Sequence, residues 1–353
     1  MAGLSVSPML IEILTRKEIE NPTVSDIPGK YSKLISEKVE GFPMLTHKNE
    51  VLMTCRNCGY NSTYDVGTIL VNKEKFKSEK ETEDALQFSG YFRCAACNEA
   101  GNWEISKDLL IRVTSVIMAS TGGVKDDRFG VGAYHLYDGS THQFATDSEE
   151  YMLEKISERD EDGVEPSSED LSLIWNKLGN LYWTGSRPDL AVAAFEQSLD
   201  LDAGHTESHF SLAQILHRAD EIELAASHYR KMLIGARYYK GMEALEFREL
   251  LANGLLDSFA ITAKTDGKIQ ALPIRDELNL TPAEADEFGD IFKLDFKPKL
   301  DDVASFYPVA EIFMGKRQKE LPKEDRHYTP VVSMARLKQR KLQQKRRKKK
   351  KRR

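Results

Sequence analysis

The chain contains only four cysteines, and they are arranged as two pairs with the same internal spacing. Cys55 and Cys58 lie in "VLMTCRNCGY", and Cys94 and Cys97 lie in "FRCAACNEAG", so each pair has two residues between its members. Two such turns can supply four thiolates to one tetrahedral ion, which is an arrangement that zinc prefers. In a chain of 353 residues with no further cysteine, this pattern favours a metal site over the disulfide framework of a small secreted protein.

The residues around the cysteine pairs support two metal-binding turns. Gly59 and Asn98 each follow the second cysteine of a pair, and these residue types most easily adopt the left-handed conformation. Strand-like runs, "NEVLMTC" and "GYFRC", precede the turns, and "STYDVGTILV" and "NWEIS" follow them. The segment resembles a zinc ribbon, which implies one structural Zn²⁺ held by all four cysteines. The 35 residues between Cys58 and Cys94 exceed the common spacing, and a charged insertion at 72–85 accounts for the excess.

Two other interpretations of the thiols stay open. They could serve as a redox dithiol or remain without metal, or they could hold a catalytic zinc ion. Four thiolates leave no coordination position open for water or substrate, so a structural ion is the expectation. The sequence also contains no phosphate-binding loop, no nucleophile elbow and no HExxH motif. We therefore expect a protein that is not an enzyme and has no catalytic residues.

The middle of the chain repeats with a period of 34 residues. In "LIWNKLGNLYWTGSRPDLAVAAFEQSLDLD", large and small side chains alternate at positions that recur in the following stretch. This stretch resembles a tetratricopeptide repeat, and "FRELLANGLLDSFAITA" begins a third, partial unit with Leu251, Ala252 and Leu255. The equivalent positions are Trp175 and His209, Leu178 and Leu212, Gly179 and Ala213, Tyr182 and Leu216, Ala191 and Ala225, and Phe195 and Tyr229.

The repeat resemblance implies stacked helix pairs whose concave surface holds a protein or peptide partner. Asn180 matches the asparagine by which some relatives bind a peptide carboxylate, but Asn176 stands where those relatives have lysine. A carboxylate clamp is therefore not expected, and several of these side chains could instead pack against a neighbouring helix. By position, the peptide-binding groove consists of Asn176, Asn180, Trp183, Phe210, Gln214 and His217.

The last eighteen residues form a strongly basic tail. The segment 336–353, "RLKQRKLQQKRRKKKKRR", carries thirteen Lys or Arg and no acid, whereas residues 1–335 hold 37 basic and 56 acidic side chains. Such a tail attracts polyanions by counterion release, but it has no aromatic residue to stack on bases. It could equally be a solubilising appendage or fold back on the acidic connector. The polyanion-binding residues would be Lys345, Arg346, Arg347, Lys348, Lys349, Lys350, Lys351, Arg352 and Arg353.

Four histidines are arranged in pairs. "RFGVGAYHLYDGSTHQFAT" predicts a β-hairpin that turns at Asp138–Gly139 and sets His135 opposite His142. No third ligand accompanies them, so an exposed polar pair is expected rather than a metal site. His205 and His209 lie four residues apart, and because His209 falls on a packing position of the repeat, it too is expected to pack.

These observations predict an α+β protein with a β-rich zinc ribbon and hairpin module, a stack of helix pairs, and a disordered or helical basic tail. The first hypothesis is a non-enzymatic adaptor, and the alternative is a nucleic-acid- or ribosome-associated protein.

No run of about 18 apolar residues occurs, so a cytoplasmic location without a membrane span is expected. The expected segments are 1–50, helical or irregular; 51–106, the ribbon; 107–148, strands and hairpin; 149–170, an acidic connector; 171–265, the repeats; 266–335, capping helices around Thr281, Pro282 and Glu284 or irregular chain; and 336–353, the tail.

Overall fold

The computed structural model describes residues 5–39, 42, 48–72, 75, 83–121, 126–159, 166–278, 280 and 297–328. The chain divides into two compact units, Met1–His228 and Tyr229–Arg353. The first unit combines two small β-sheets with helices, and the described part of the second is helical. The α+β class that the sequence predicts is confirmed.

The strands precede the paired helices along the chain. The strands are β1 (Glu50–Cys55), β2 (Asn61–Asp65), β3 (Ile69–Val71), β4 (Leu86–Phe88), β5 (Trp103–Ile105) and β6 (Phe129–Val131). The helices are α1 (Pro8–Thr15), α2 (Lys30–Ser36), α3 (Lys107–Thr121), α4 (Ala145–Ser157), α5 (Ser168–Thr184), α6 (Pro188–Leu201), α7 (Thr206–Arg218), α8 (Ile222–Gly235), α9 (Ala244–Lys264) and α10 (Tyr307–Phe313).

The first sheet has β1 at its centre, paired in antiparallel fashion with β2 on one side and β5 on the other. Because successive side chains of a strand point to opposite faces, Met53 and Cys55 face the core while Leu52 is 54% exposed. Cys55 lies opposite Trp103 in the register. The first cysteine therefore enters its turn from the buried face of a strand, as the run "NEVLMTC" predicts.

The second sheet places β3 between β4 and β6. β3 pairs with β4 in antiparallel register and with β6 in parallel register, so Ile69 lies between Phe88 and Phe129. A parallel partner requires a long connection. That connection contains β4, the second cysteine turn, β5 and α3.

The prediction of strands and a hairpin for 107–148 is wrong over its first part, because α3 occupies Lys107–Thr121. Leu109 and Val113 lie four residues apart and are buried in the core that also contains Trp103. Ile111, between them, is 65% exposed. This spacing is the signature of an amphipathic helix, which packs beside the sheets.

The predicted β-hairpin is also wrong. The turn at Asp138–Gly139 forms, but β6 pairs with β3, and the chain after the turn makes no ladder with the chain before it. The side chain of Gln87 replaces that ladder: its Nε2 donates to the carbonyls of Tyr134 at 3.0 Å and His142 at 2.9 Å. Its Oε1 accepts from the amide of Tyr134 at 2.7 Å.

The predicted strand at "GYFRC" is likewise wrong, because residues 90–94 form no strand. Their backbone groups find other partners. The amide of Tyr91 donates to the carbonyl of Gly185 at 3.1 Å, and the amide of Cys94 donates to the carbonyl of Glu99 at 3.0 Å. The segment before the second cysteine turn is thus attached to the loop after α5, while the amide of Ala95 in the turn donates to the hydroxyl of Tyr64 in β2 at 3.2 Å.

The N-terminal segment forms two short helices that pack on other parts of the first unit. Ser7 caps α1 by accepting from the amide of Leu10 at 3.4 Å, and α1 packs on α4. The carboxylate of Glu196, in α6, accepts from the amides of Lys30 and Tyr31 at 3.0 and 3.1 Å, and so satisfies the first turn of α2. The amphipathic stretch around "PMLIEILTRKEI" is therefore part of the folded unit.

The segment 149–170 is not a connector over its first part. α4 begins at Ala145, before the predicted boundary, and buries Glu149, Met152 and Leu153 against its neighbours. Its contacts with α1 and α5 make it a structural helix. Residues 160–165, which include the predicted end at Asp162–Gly163, lie outside the described part of the chain.

The residues equivalent by the 34-residue period occupy equivalent places in α5 to α8. Both members of each of the six pairs are buried, including Trp175 at 3% and His209 at 3% exposure. A Cβ atom on Gly179 would lie 2.5 Å from the ring of Phe195, so only glycine allows α5 and α6 to approach this closely. The sequence period is therefore also a period of burial.

The described part of the second unit contains the end of α8, α9, α10 and short 3-10 turns. Leu251, Ala252 and Leu255, predicted to lie on a helix, are fully buried in α9. The carboxylate of Glu311, in α10, is buried and accepts from the amides of His327 and Tyr328. This contact anchors the last described residues of the chain.

Within the described ranges, no helix has both the length and the apolar composition needed to cross a bilayer. The predicted capping helix around Thr281, Pro282 and Glu284 lies outside the described residues, as do most of the insertion at 72–85 and the whole of the basic tail at 336–353.

Candidate metal centre

The structure brings the four cysteines together. Their sulfur atoms all lie within 4.8 Å of one another. The Sγ of Cys55 is 3.7 Å from that of Cys97, and the Sγ of Cys58 is 3.6 Å from that of Cys94. All four are free thiols. The two CxxC pairs therefore form one site, with the close contacts running between the pairs.

Each pair is held by the same turn geometry. Gly59 and Asn98 have φ angles of 75° and 58°, and their amides donate to the carbonyls of Cys55 and Cys94, each at 2.8 Å. These are the left-handed conformations that glycine and asparagine were predicted to supply at this position. The prediction from the residue types is confirmed at both turns.

Neighbouring residues close each turn a second time. The amide of Cys55 donates to the carbonyl of Tyr60 at 2.9 Å, and the amide of Cys94 donates to that of Glu99 at 3.0 Å. The amide of Asn98's side chain donates to the carbonyl of Val6 at 2.9 Å, which attaches the second turn to the N-terminal segment. The sulfur positions are thus set by backbone hydrogen bonds on both sides.

The sulfur spacing fits one tetrahedral ion. Four sulfurs at the usual zinc–sulfur distance of about 2.3 Å stand about 3.8 Å apart in a regular tetrahedron. The two contacts of 3.6 and 3.7 Å match that spacing closely, and they are far longer than a disulfide bond. A single metal ion could be coordinated by these four residues.

Without a metal ion, two of the thiols differ strongly in acidity. Burial raises the pKa of Cys55 to about 12. For Cys97, burial acts to raise the pKa, but hydrogen bonds from the amide of Glu99 and from neighbouring thiols lower it to about 7. Because zinc ligands must be thiolates, a cation is needed to keep all four sulfurs ionised together.

The site lies at the border between core and solvent. Cys55 and Cys94 are buried in the core cluster with Phe92 and Trp103, whereas Cys58 is exposed and Cys97 is half-buried. An ion held by all four would connect the β1 strand to the second turn, which has no strand of its own. This placement suits a structural ion, since four protein ligands fill a tetrahedral site.

The two arginines near the turns are both engaged. Arg56 lies 3.5 Å from the carboxylate of Glu83 at the surface. Arg93 is buried, pairs with Glu150, and has its Nη1 3.7 Å from Oε2 of Glu149. Neither arginine therefore offers an uncompensated charge to a phosphate group.

A buried polar network joins the segment before the second cysteine turn to the helices, and the sequence analysis did not predict it. Glu149 has no exposure and accepts from the hydroxyl of Tyr182 at 2.7 Å and from that of Tyr91 at 3.0 Å. Burial raises the pKa of Glu149, against the opposing effect of Arg93. The guanidinium of Arg187 lies over the Tyr91 ring at 4.9 Å. The available signal was Met152 and Leu153, three and four residues beyond Glu149, which place this acid on an apolar face.

The predicted groove residues have different environments. Asn176 is fully buried, and its amide lies 2.9 Å from the hydroxyl of Ser208, so its side chain serves packing within the helix stack. Asn180 contacts Asn176 at 3.4 Å. Trp183 lies at the end of α5, where Phe42 meets it edge to face. Trp183, Phe210, Gln214 and His217 are all half-buried.

The predicted hairpin that would set His135 opposite His142 does not form. His135 contacts the carbonyl of Gly139 at 3.3 Å, while His142 lies 3.4 Å from the carboxylate of Asp147. His209 is buried as expected, but its Nδ1 lies 2.9 Å from Nδ1 of His228, on the neighbouring helix α8. In the part of the chain that the structure describes, the four cysteines are the cluster suited to a metal ion.

Comparisons with protein-family models, with curated proteins and with solved structures found no match. The four cysteines and the geometry of their turns therefore define the candidate metal centre.

Proposed function

We propose that the four cysteines bind one Zn²⁺ as a structural ion. The observation that supports this proposal is the convergence of four thiols within 4.8 Å from two separate turns. An all-thiolate set favours zinc over the harder cations magnesium and calcium, which prefer oxygen ligands. When bound, the ion would hold the second turn against β1. Free thiols also suit the reducing conditions of the cytoplasm.

The metal proposal is tested by composition and by spectroscopy. Protein purified without a chelator should contain about one zinc per chain, because four thiolates fill one tetrahedral site. Cobalt substitution should give the spectrum of a tetrahedral tetrathiolate centre. A spectrum with fewer thiolate ligands, or one with an exchangeable water, would contradict a closed structural site.

We further propose that the protein is a non-enzymatic adaptor that holds a polypeptide partner on the surface of its helix pairs. Support comes from the 34-residue period, which recurs as a period of burial, and from the close approach at Gly179. Trp183 and Phe210 stand at the predicted groove positions and are only half-buried. Aromatic side chains at a partly exposed surface are the kind that contribute most to protein interfaces.

An affinity capture tests the adaptor proposal. Trp183→Ala combined with Phe210→Ala should remove the specific partners that wild-type protein captures from its source cells. Ile111→Ala is the matched control, because Ile111 is 65% exposed on α3, which is not part of the helix pairs. An identical partner set for wild type and the double variant would overturn the groove assignment.

The alternative is association with nucleic acid or ribosomes. Arg56 and Arg93 are engaged by carboxylates, so neither of these arginines offers an uncompensated charge to phosphate. The thirteen basic residues of 336–353 are the observation that favours it. A chain without this segment should lose binding to single-stranded RNA and the steep salt dependence of that binding. Unchanged binding would remove this candidate.

A further inference from the structure

The last turn of α5 presents an aromatic side chain that another part of the same chain covers. The ring of Phe42 meets that of Trp183 edge to face, with centroids 6.0 Å apart and an interplanar angle of 84°. Phe42 is only 7% exposed, so Trp183 and its surroundings enclose it almost completely. The guanidinium of Arg218, the last residue of α7, lies over the Trp183 ring at 5.6 Å. We call Trp183 and Arg218 the aromatic site.

The described residues that precede Phe42, up to residue 39, lie against the helix pairs. α2 packs on α6, and Lys38, two residues beyond α2, reaches the turn between α7 and α8. Its Nζ donates to the carbonyl of Ala219 at 2.9 Å and pairs with the carboxylate of Glu221 at 2.5 Å. Both side chains of this pair are partly exposed, which weakens it through solvent screening. This ion pair therefore contributes little to holding Phe42 in place.

The chemistry of the aromatic site defines what it can recognise. An indole face and edge accept an aromatic ring, and the guanidinium stacked on it favours a carboxylate nearby. Among the residues that the structure describes, no carboxylate forms an ion pair with the exposed Arg218. The sequence around the present occupant, "SEKVEGFPML", itself combines acids with the aromatic residue.

We infer that Phe42 is an internal occupant of the aromatic site, and that a partner polypeptide binds there with its own aromatic residue, next to an acidic one, in place of Phe42. This inference rests on the proposed adaptor function. It specifies the class of partner segment. It adds that, in the unbound protein, Phe42 competes with that segment for the aromatic site. Because an internal competitor leaves only a fraction of molecules open, the partner's apparent affinity falls by that fraction.

Tryptophan fluorescence reports this site selectively. Trp103 and Trp175 are 4% and 3% exposed, so Trp183 is the tryptophan that a quencher in solution can reach. Phe42→Ala should increase quenching by acrylamide, whereas Phe42→Tyr, which keeps the ring, should not. Leu52→Ala is the matched control, because it removes a 54% exposed apolar side chain from β1. Equal quenching of wild type and Phe42→Ala would overturn the inference, provided that circular dichroism shows both folded.

A peptide then tests recognition. The probe is a synthetic peptide of residues 36–48, "SEKVEGFPMLTHK", added to the Phe42→Ala protein. It should restore the protection of Trp183 and bind at least about tenfold more tightly than it binds wild type, since the internal competitor is gone. The same peptide with alanine for Phe42 should not bind. Arg218→Ala should weaken binding of the unmodified peptide.

The outcomes separate this inference from the adaptor proposal. If the peptide fails to protect Trp183 in the Phe42→Ala protein, the inference is wrong even when captured partners still require Trp183 and Phe210. If the peptide binds but no captured partner depends on those two residues, the aromatic site is an intramolecular one and the adaptor proposal fails.

Discussion

The hydroxyl of Tyr182 lies 2.7 Å from Oε1 of Glu149, a carboxylate with no exposure to solvent. Glu149 also accepts from Tyr91, three residues before Cys94 in the chain. The segment that leads into the second cysteine turn and a helix-packing tyrosine are therefore linked through one buried acid. This link explains how a turn that lacks a strand of its own can be held in place.

Replacing Cys55 should remove the metal and lower stability together. Cys55→Ser leaves three sulfurs and places a hydroxyl in the buried core, where its polar group has no water. We expect metal content to fall well below one per chain and the melting temperature to fall by several degrees or more, because metal-binding free energy is folding free energy. Mass spectrometry and thermal unfolding measure both.

Cys58→Ser, at the exposed cysteine, is the companion variant and should lose metal with less damage to the core. Full metal content in Cys55→Ser would exclude a four-cysteine site.

Removing the carboxylate of Glu149 should be strongly destabilising. Glu149→Ala removes one of the two acidic neighbours of the buried Arg93. It also removes the acceptor of two tyrosine hydroxyls. The free energy of unfolding should fall by about 3 kcal/mol, the range seen when a buried ion pair loses one member. Glu149→Gln keeps an acceptor and should lose less. Urea denaturation measures both variants, and equal stability of Glu149→Ala and wild type would contradict the network.

The N-cap of α7 should make stability depend on pH. The neutral Nδ1 of His205 accepts from the amide of Ser208 at 3.3 Å, and burial lowers the pKa of this histidine below its usual 6.5. Its contribution is therefore complete above pH 6.5 and is lost as the pH falls from there through the lowered pKa. His205→Asn keeps an acceptor that does not titrate. Urea midpoints between about pH 7.5 and 5 should fall less steeply in this variant than in wild type. His135→Asn, at an exposed histidine, is the control; it should retain the wild-type slope, and a wild-type slope in His205→Asn would refute the cap.

Adding a methyl group at Gly179 should force α5 and α6 apart. The new Cβ would lie 2.5 Å from the ring of Phe195, well inside van der Waals contact. Gly179→Ala should therefore cost roughly 1–3 kcal/mol of unfolding free energy, despite the better helix propensity of alanine. Phe195→Leu, added to Gly179→Ala, should recover part of the loss, because the smaller side chain makes room. Additive effects of the two changes in thermal unfolding would mean that the residues do not interact.

The parts of the structure that could be predicted from the sequence are those set by local geometry. A CxxC turn followed by Gly59 or Asn98 defines its own backbone, so the four cysteines could be assigned to one site without the fold. Helix pairing follows from spacing within one stretch of chain, which is why Trp175 and its equivalents are buried as a set. Gly179 meets Phe195 for the same reason.

What could not be predicted depends on partners distant in the chain. A turn signal at Asp138–Gly139 indicates that the chain reverses, but it does not identify the strand that pairs with β6. In the structure that strand is β3. Glu149 lies within an acidic run that suggests a solvated face, and only packing with Tyr91 and Tyr182 makes it a buried acceptor. In α3, the four-residue spacing of the apolar residues Leu109 and Val113 is visible in the sequence. So short a pattern does not distinguish a helix from strands.

The position of β3 between β4 and β6 has a consequence for the order in which the protein assembles. β4 follows β3 closely, whereas Ile69 and its parallel partner Phe129 are sixty residues apart. Closing so large a segment of chain costs entropy that a hairpin does not, and non-local pairing of this kind slows folding. The intervening segment contains Cys94 and Cys97, so the newly synthesised chain exposes both before the mixed sheet can be completed. Under the proposed zinc site, metal supply during synthesis becomes a kinetic variable, and a chain refolded without zinc should protect the amides of β4 before those of β6 in pulsed hydrogen exchange.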